Sequence, residues 1–181
     1  MNNDDVRFGR FISLVLRHEP SAAGLTLDEH GWARVDALIA GMNARGYQID
    51  REALSRIVRE NTKHRYSFND DASLIRANQG HSVDVDVDLA EAIPPDVLYH
   101  GTTQRCVASI MAHGITRQSR QYVHLSLDVQ TAISVGKRHG KPVVMKVNAA
   151  AMVHDGHKFW LSANGVWLCE AVPPEYIVSI T

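Results

Sequence analysis

The sequence predicts an α+β protein in two lobes, one helical with a small hairpin and one dominated by short strands. Three observations carry this. Apolar residues recur at helical spacing in three stretches before residue 61, each bounded by a capping residue or a breaker. After residue 95 the pattern changes to short, Val-rich, strand-like runs with two helical stretches among them. Between these, from residue 79, Gly, Ser, Asp and Pro accumulate and read as a connector. The expected division is a first lobe over 1–80, a connector over 81–95 and a second lobe over 96–181.

Residues 4–16 form the first expected helix, with Val6, Phe8, Phe11, Ile12, Val15 and Leu16 as its apolar stripe and Asp4 or Asp5 as its cap. Pro20 limits its extension, which places Arg17 and His18 at the C-terminal edge. Cations are favoured there by the helix dipole on structural grounds alone. Leu25–Trp32 reads as a short strand or turn with Gly31 at the bend. Val35–Ala44 is a second helix closed by Gly46, and Asp50 caps a third, Arg51–Glu60, whose stripe is Leu54, Ile57 and Val58. Arg65–Phe68 and Ser73–Arg76 are hairpin arms around Asn69-Asp70-Asp71. Three helices and a two-stranded wing make the outline of a winged helix, which many unrelated modules share. The Val/Asp alternation over 83–88 reads as an exposed strand with one acidic face; it lacks the glycine turn and terminal Glu of a calcium-binding EF-hand loop.

In the second lobe the expected strands are Val97–Tyr99, Val123–Leu125, Val143–Val147, Phe159–Leu161, Val166–Glu170 and Tyr176–Ile180. Arg105–His113 and Asp128–His139 are the helices, ending before Gly114 and Gly140. No GxGxxG motif occurs, and strands outnumber helices too far for a doubly wound fold. A compact mixed sheet with two flanking helices is expected instead.

Nineteen Lys plus Arg against twenty Asp plus Glu give a formal charge of -1, so no global basic field marks the chain as a nucleic-acid binder. Before residue 81, however, ten Arg and one Lys face eleven acids, so forked guanidiniums are plentiful at near-zero net charge. Any phosphate site is then a local pocket. Cys106 and Cys169 form no CxxC pair, no apolar run approaches the roughly 20 residues of a membrane span, and the N-terminus lacks signal-peptide features. A cytoplasmic monomer is expected.

Five runs carry the chemistry: Leu16-Arg17-His18, Lys63-His64-Arg65-Tyr66, Tyr99-His100-Gly101-Thr102, Arg120-Gln121-Tyr122-Val123-His124-Leu125-Ser126 and Ser162-Ala163-Asn164-Gly165-Val166-Trp167-Leu168. Arginine forks match phosphate oxygens two at a time and stay charged at any working pH. Gly101 lets a ligand approach the backbone, and period-two alternation puts His124 and Ser126 on one strand face. If His100 and His124 lie on neighbouring strands, both imidazoles line one cleft. The tempting metal pairs, His154 with His157 and His100 with His124, lie in no HExxH helix, and no GxSxG elbow is present. No metal is expected.

In this order the five runs resemble the NAD-dependent RNA 2′-phosphotransferase family, over about residues 4–178. Those enzymes remove the 2′-phosphate left at a tRNA splice junction. The resemblance implies a winged-helix-like RNA lobe followed by an ADP-ribosyltransferase-like NAD lobe. It implies a catalytic tetrad at Arg17, His18, Arg65 and Arg120, and NAD-lobe signature positions at His100, His124 and Val166. Gly101, Thr102, Ser126 and Gly165 are the further expected NAD contacts. Protein-modifying relatives carry a glutamate where Val166 falls, and a 2′-phosphate, with its second pKa near 6, is already anionic and needs no general base. NAD is thus expected as a consumed co-substrate, and RNA with an internal 2′-phosphate as the partner. Two alternatives stand beside this: an ADP-ribosyltransferase that caps terminal phosphates of nucleic acids, and a non-catalytic winged-helix RNA-binding module. The last gives no reason for Arg17, Arg65 and Arg120 to converge.

Overall fold

A computed structural model describes residues 3–180 of the chain and divides it into two units, one running to Asp88 and the other starting at Leu89. In the first unit, α1 spans Asn3–Arg17, β1 Ala33–Arg34, α2 Val35–Ala44, α3 Arg51–Glu60, β2 Tyr66–Phe68 and β3 Leu74–Ala77. Phe8, Ile12, Val15 and Leu16 of α1 are buried with Leu38 and Met42 of α2 and Leu54 and Ile57 of α3, whereas Val6, expected in the α1 stripe, is exposed. Asp50 caps α3, its carboxylate accepting from the Ala53 amide at 2.8 Å.

Asp5 is not a cap. The helix begins before it, so Asp5 falls inside the first turn, 3 % exposed, and meets Arg56 Nη2 of α3 at 3.0 Å. Of the strand or turn expected over residues 25–32, the structure has the turn, closed by the Gly31 amide on the Asp28 carbonyl at 3.0 Å. The Asp28 carboxylate accepts from the His30 and Trp32 amides, and a side chain that takes backbone donors withdraws them from any ladder. Only Ala33 and Arg34 pair, with Ile75 and Leu74, giving an antiparallel sheet in the order β1-β3-β2.

The stretch expected as a connector belongs, up to Asp88, to the first unit. The Ser82 and Val83 amides donate to the Arg17 carbonyl at 2.9 and 3.3 Å, and the Asp86 amide donates to Glu29 at 2.8 Å. The alternation expected of residues 83–88 holds in its faces, with Val87 buried and Asp84, Asp86 and Asp88 exposed, but the segment joins no sheet.

The second unit contains β4 (Ala90–Glu91), β5 (Val97–Thr103), α4 (Val107–His113), β6 (Ile115–Thr116), β7 (Val123–Leu125), α5 (Val129–Gly136), β8 (Pro142–Asn148), α6 (Ala149–His154), β9 (Trp160–Leu161), β10 (Trp167–Cys169), β11 (Ala171–Val172) and β12 (Ile177–Ile180). Two sheets, β4-β9-β10-β7 and β12-β8-β5, accompany a β6-β11 pair. Every strand pairing among the described residues is antiparallel, where the sequence suggested a mixed sheet. The two sheets meet at one bridge. Tyr99 and Ser126 exchange backbone hydrogen bonds of 2.9 and 2.7 Å, which sets β5 beside β7. Leu98, Met145, Val147, Met152, Phe159 and Trp167 form the core. Helix α6 has no counterpart in the sequence reading: six residues are too few to show a period, although Asn148 caps it through the Ala151 amide.

Candidate active site

The first unit gathers three of the four expected catalytic residues. Arg17 ends α1, and His18 follows with its amide on the Leu14 carbonyl at 2.8 Å. The Ser82 hydroxyl lies 2.9 Å from His18 Nδ1. Arg65 leads into β2. Its amide and Nη1 approach the Oδ1 of Asn61, a 2 % exposed side chain, at 3.4 and 3.5 Å. His64, just before it, is held at φ 40°, a left-handed conformation that costs a non-glycine residue energy and clusters at functional sites. Asn78 fixes this bend from the other side: its side chain donates to the His64 carbonyl at 2.7 Å and its amide to the Arg65 carbonyl at 2.9 Å.

Arg17 and Arg65 both act electrostatically on Tyr66. The buried Tyr66 phenol donates to the Gly9 carbonyl at 2.6 Å. Burial raises its pKa, while Ser13 and the charges of both Arg17 and Arg65 pull it back. His81, 1 % exposed, lies within reach of Arg17 and His18; burial first, then the charges of Arg17, His18 and Arg76, push it down to about 4. Arg17, from the end of α1, thus acts on both Tyr66 and His81, joined by Arg65 at the first and by His18 at the second.

The second unit holds the rest. His100 and His124 sit on neighbouring strands. His100 Nδ1–H donates to the His124 carbonyl at 3.1 Å, and His124 Nδ1–H donates to the Tyr122 carbonyl at 3.1 Å. Burial lowers the pKa of His100, and Arg120 adds to this against the opposing His124 bond, so the ring is neutral near pH 7 with Nε2 as an acceptor. Arg120 lies within electrostatic range of His100 and of Arg138, and partial desolvation and Arg138 lower its pKa; a guanidinium keeps its charge regardless. His100 and Thr102 share a face of β5, and Ser126 is half-buried at the bridge between sheets.

Gly101 has a packing reason to be glycine: a β-carbon there would overlap the Ala132 carbonyl of α5. Gly165 and Val166 form the β9–β10 turn, where Gly165 adopts φ 75° and the Val166 amide donates to the Ser162 hydroxyl at 3.0 Å. Trp167↔Leu125 is the neighbouring rung, which sets Val166 at the end of β10 beside β7. The sequence did not single out Asn61, Asn78 and Ser82, which hydrogen-bond to Arg65 and His18 of the expected tetrad. Gly80, at φ 88°, was the visible signal for a tight bend ahead of Ser82. Among the described residues no group of three or more His, Cys, Asp or Glu side chains is placed to hold a metal, and no helix is long and apolar enough to cross a membrane.

Guanidiniums near imidazoles are groups that suit phosphate oxygens. The comparisons give the particular family. A model described as RNA 2'-phosphotransferase, Tpt1 / KptA family matches residues 3–171, and the chain belongs to that family. It is 49 % identical over 176 residues to a probable RNA 2'-phosphotransferase of Fusobacterium nucleatum, covering 97 % of this chain and 98 % of the relative. Relatives of the same name from Flavobacterium johnsoniae and Nostoc punctiforme are 49 % identical over 168 and 175 residues, covering 93 % and 97 % of this chain and 92 % and 97 % of their own.

Proposed function

We propose that this protein is an NAD-dependent RNA 2′-phosphotransferase that moves an internal RNA 2′-phosphate to NAD in two steps. The observation that supports the reading is that Arg17 acts electrostatically on Tyr66 together with Arg65 and on His81 together with His18, within a chain matched to the family over residues 3–171. A winged-helix-like unit takes the RNA and an ADP-ribosyltransferase-like unit takes NAD.

In the first step an RNA 2′-phosphate oxygen attacks the anomeric carbon of the nicotinamide ribose. The glycosidic bond breaks, and nicotinamide leaves with the bonding pair as a neutral base. The nucleophile is already anionic, so Arg17 and Arg65 have only to orient it and compensate its charge. His100 and His124, with Thr102, Ser126 and the Gly165–Val166 turn, orient NAD. The neutral His100 ring suits this, since its Nε2 accepts from a ribose hydroxyl. Arg120, with Arg138 nearby, suits phosphate oxygens.

In the second step the adjacent ribose 2″-hydroxyl attacks the phosphorus, and the bond from phosphorus to the RNA 2′-oxygen breaks. The proton of the 2″-hydroxyl passes to solvent; RNA departs with a 2′-hydroxyl, its proton given by His18, and ADP-ribose 1″,2″-cyclic phosphate is the other product. Charge peaks on the phosphorane, where forked donors count most.

The test mixes the protein with NAD and an oligonucleotide bearing one internal 2′-phosphate, without divalent ions. Nicotinamide, 2′-hydroxyl RNA and the cyclic phosphate are expected in equal amounts. ADP-ribose left attached to the RNA would replace this reading with the phosphate-capping one, and no nicotinamide at all would replace it with the binding module.

A further inference from the structure

The segment Asn78–Val83 lies outside the expected tetrad, yet it touches the residues on both sides of the first-unit cluster. At one end Asn78 holds the His64–Arg65 bend by two hydrogen bonds, of 2.7 Å to His64 and 2.9 Å to Arg65. The Asn78 side chain is itself fixed by the Ser67 hydroxyl at 2.8 Å. At the other end the Ser82 and Val83 amides close on the Arg17 carbonyl, the last of α1. Between them His81 is buried, and neither ring nitrogen has a hydrogen-bond partner among the described residues. Gly31 packs beside this ring, where a β-carbon would make ordinary van der Waals contact with His81 Nε2 at 3.6 Å.

Within this strap one contact has no evident structural purpose. The tie to α1 runs through the Ser82 backbone amide, whereas the exposed Ser82 hydroxyl turns to His18 Nδ1 at 2.9 Å. A hydrogen bond to one imidazole nitrogen sets the ring's rotation and decides which nitrogen handles the proton. We propose that Ser82 is a positioning residue that engages His18 Nδ1, so that proton delivery to the departing RNA oxygen is carried by Nε2. This rests on the phosphotransferase reading. Ser82 touches no reacting atom in it and acts only through His18.

The hydroxyl can be removed without disturbing the strap, because the amide bonds to Arg17 do not depend on it. Ser82→Ala and Ser82→Thr are compared with the unaltered protein and with His18→Asn in turnover of a 2′-phosphorylated oligonucleotide with NAD. In Ser82→Ala, kcat falls roughly tenfold while KM for both substrates stays within about twofold, as expected for a misaligned proton donor. Ser82→Thr restores most of the loss. In the His18→Asn background, Ser82→Ala has no further effect, because the two residues act as one unit. Equal losses in both backgrounds, or a loss seen only in melting temperature, would overturn the proposal.

A readout free of activity accompanies these rates. Long-range ¹H–¹⁵N spectra of the imidazoles report the His18 tautomer directly, and Ser82→Ala is expected to change it. An unchanged tautomer in a protein that still turns over would overturn the role of Ser82 alone. An unaltered protein that releases no nicotinamide would instead overturn the phosphotransferase reading, and with it any catalytic role for Ser82.

Discussion

Gly101 of β5 lies directly against the Ala132 carbonyl of α5, with no space between them for a β-carbon. The same helix approaches β5 again at Gly136, where an added β-carbon would run into the Thr102 carbonyl. Two glycines therefore let α5 settle on the strand that carries His100. The glycine of the His-Gly-Thr run thus serves the packing behind the strand, whatever a ligand does at its other face.

Gly101→Ala is accordingly expected to destabilise the protein by about 1–3 kcal/mol, the usual cost of forcing an extra carbon into a packed interior. Gly165→Ala meets no neighbour and suffers only the left-handed φ of 75°, about 1 kcal/mol. Urea unfolding of the two variants checks the order. A Gly101→Ala protein as stable as the parent would show that α5 does not rest on β5 as described.

The two cysteines should react differently. Cys169 is 1 % exposed, and burial pushes its thiol up to about 12. Cys106 is half-buried; the hydrogen bond from Thr103 lowers its pKa, and Arg105 assists. Since the thiolate is the nucleophile, iodoacetamide at pH 8 is expected to label Cys106 in the folded protein and Cys169 only after denaturation. Peptide mass spectrometry reads the outcome.

Much of this was legible in the sequence. Helices α2 and α3 occupy the expected residues because each has a strong boundary signal, with Gly46 after one and the Asp50 cap before the other. Pro20 announced that Arg17 and His18 stand at a helix end. The His124–Ser126 alternation announced a strand, and the Tyr99–Ser126 bridge supplies the neighbour that His100 was expected to have. What stayed hidden depends on contacts between distant residues. Residues 83–88 show their inward and outward faces as a period of two, yet nothing in that period says that the backbone beside them hydrogen-bonds to Arg17 and Glu29 instead of to a strand. Asn78 and Ser82 look like turn residues, and only the fold reveals that one grips His64 and the other His18.

Acid sensitivity follows from His81. Its pKa lies near 4 in the folded protein, with burial as the main cause, against an ordinary value of 6.5 once unfolded. Between those values the unfolded chain binds more protons than the folded one, so stability rises with pH in that window and is lost as pH falls through it. The full effect is about 3 kcal/mol at most. Unfolding by urea at pH 7 and pH 5 should show a drop in the parent that is visibly smaller in His81→Gln. Parallel drops would mean that His81 is not the group being protonated.

Arg65 separates charge from geometry. It combines an anchored backbone, fixed by Asn61 and Asn78, with a guanidinium beside Tyr66. A charge-assisted hydrogen bond is worth roughly 1.5–3 kcal/mol, so Arg65→Ala should slow phosphate transfer by about ten- to more than a hundredfold. Arg65→Lys keeps the charge but loses the two-pronged donor, and little recovery is expected. Because the backbone bonds to Asn61 and Asn78 survive either change, melting temperatures should stay close to the parent's. Full rescue by lysine would reduce Arg65 to a source of positive potential. A loss of folding in Arg65→Ala would make it a structural residue, and single-turnover rates measured beside melting curves distinguish these outcomes.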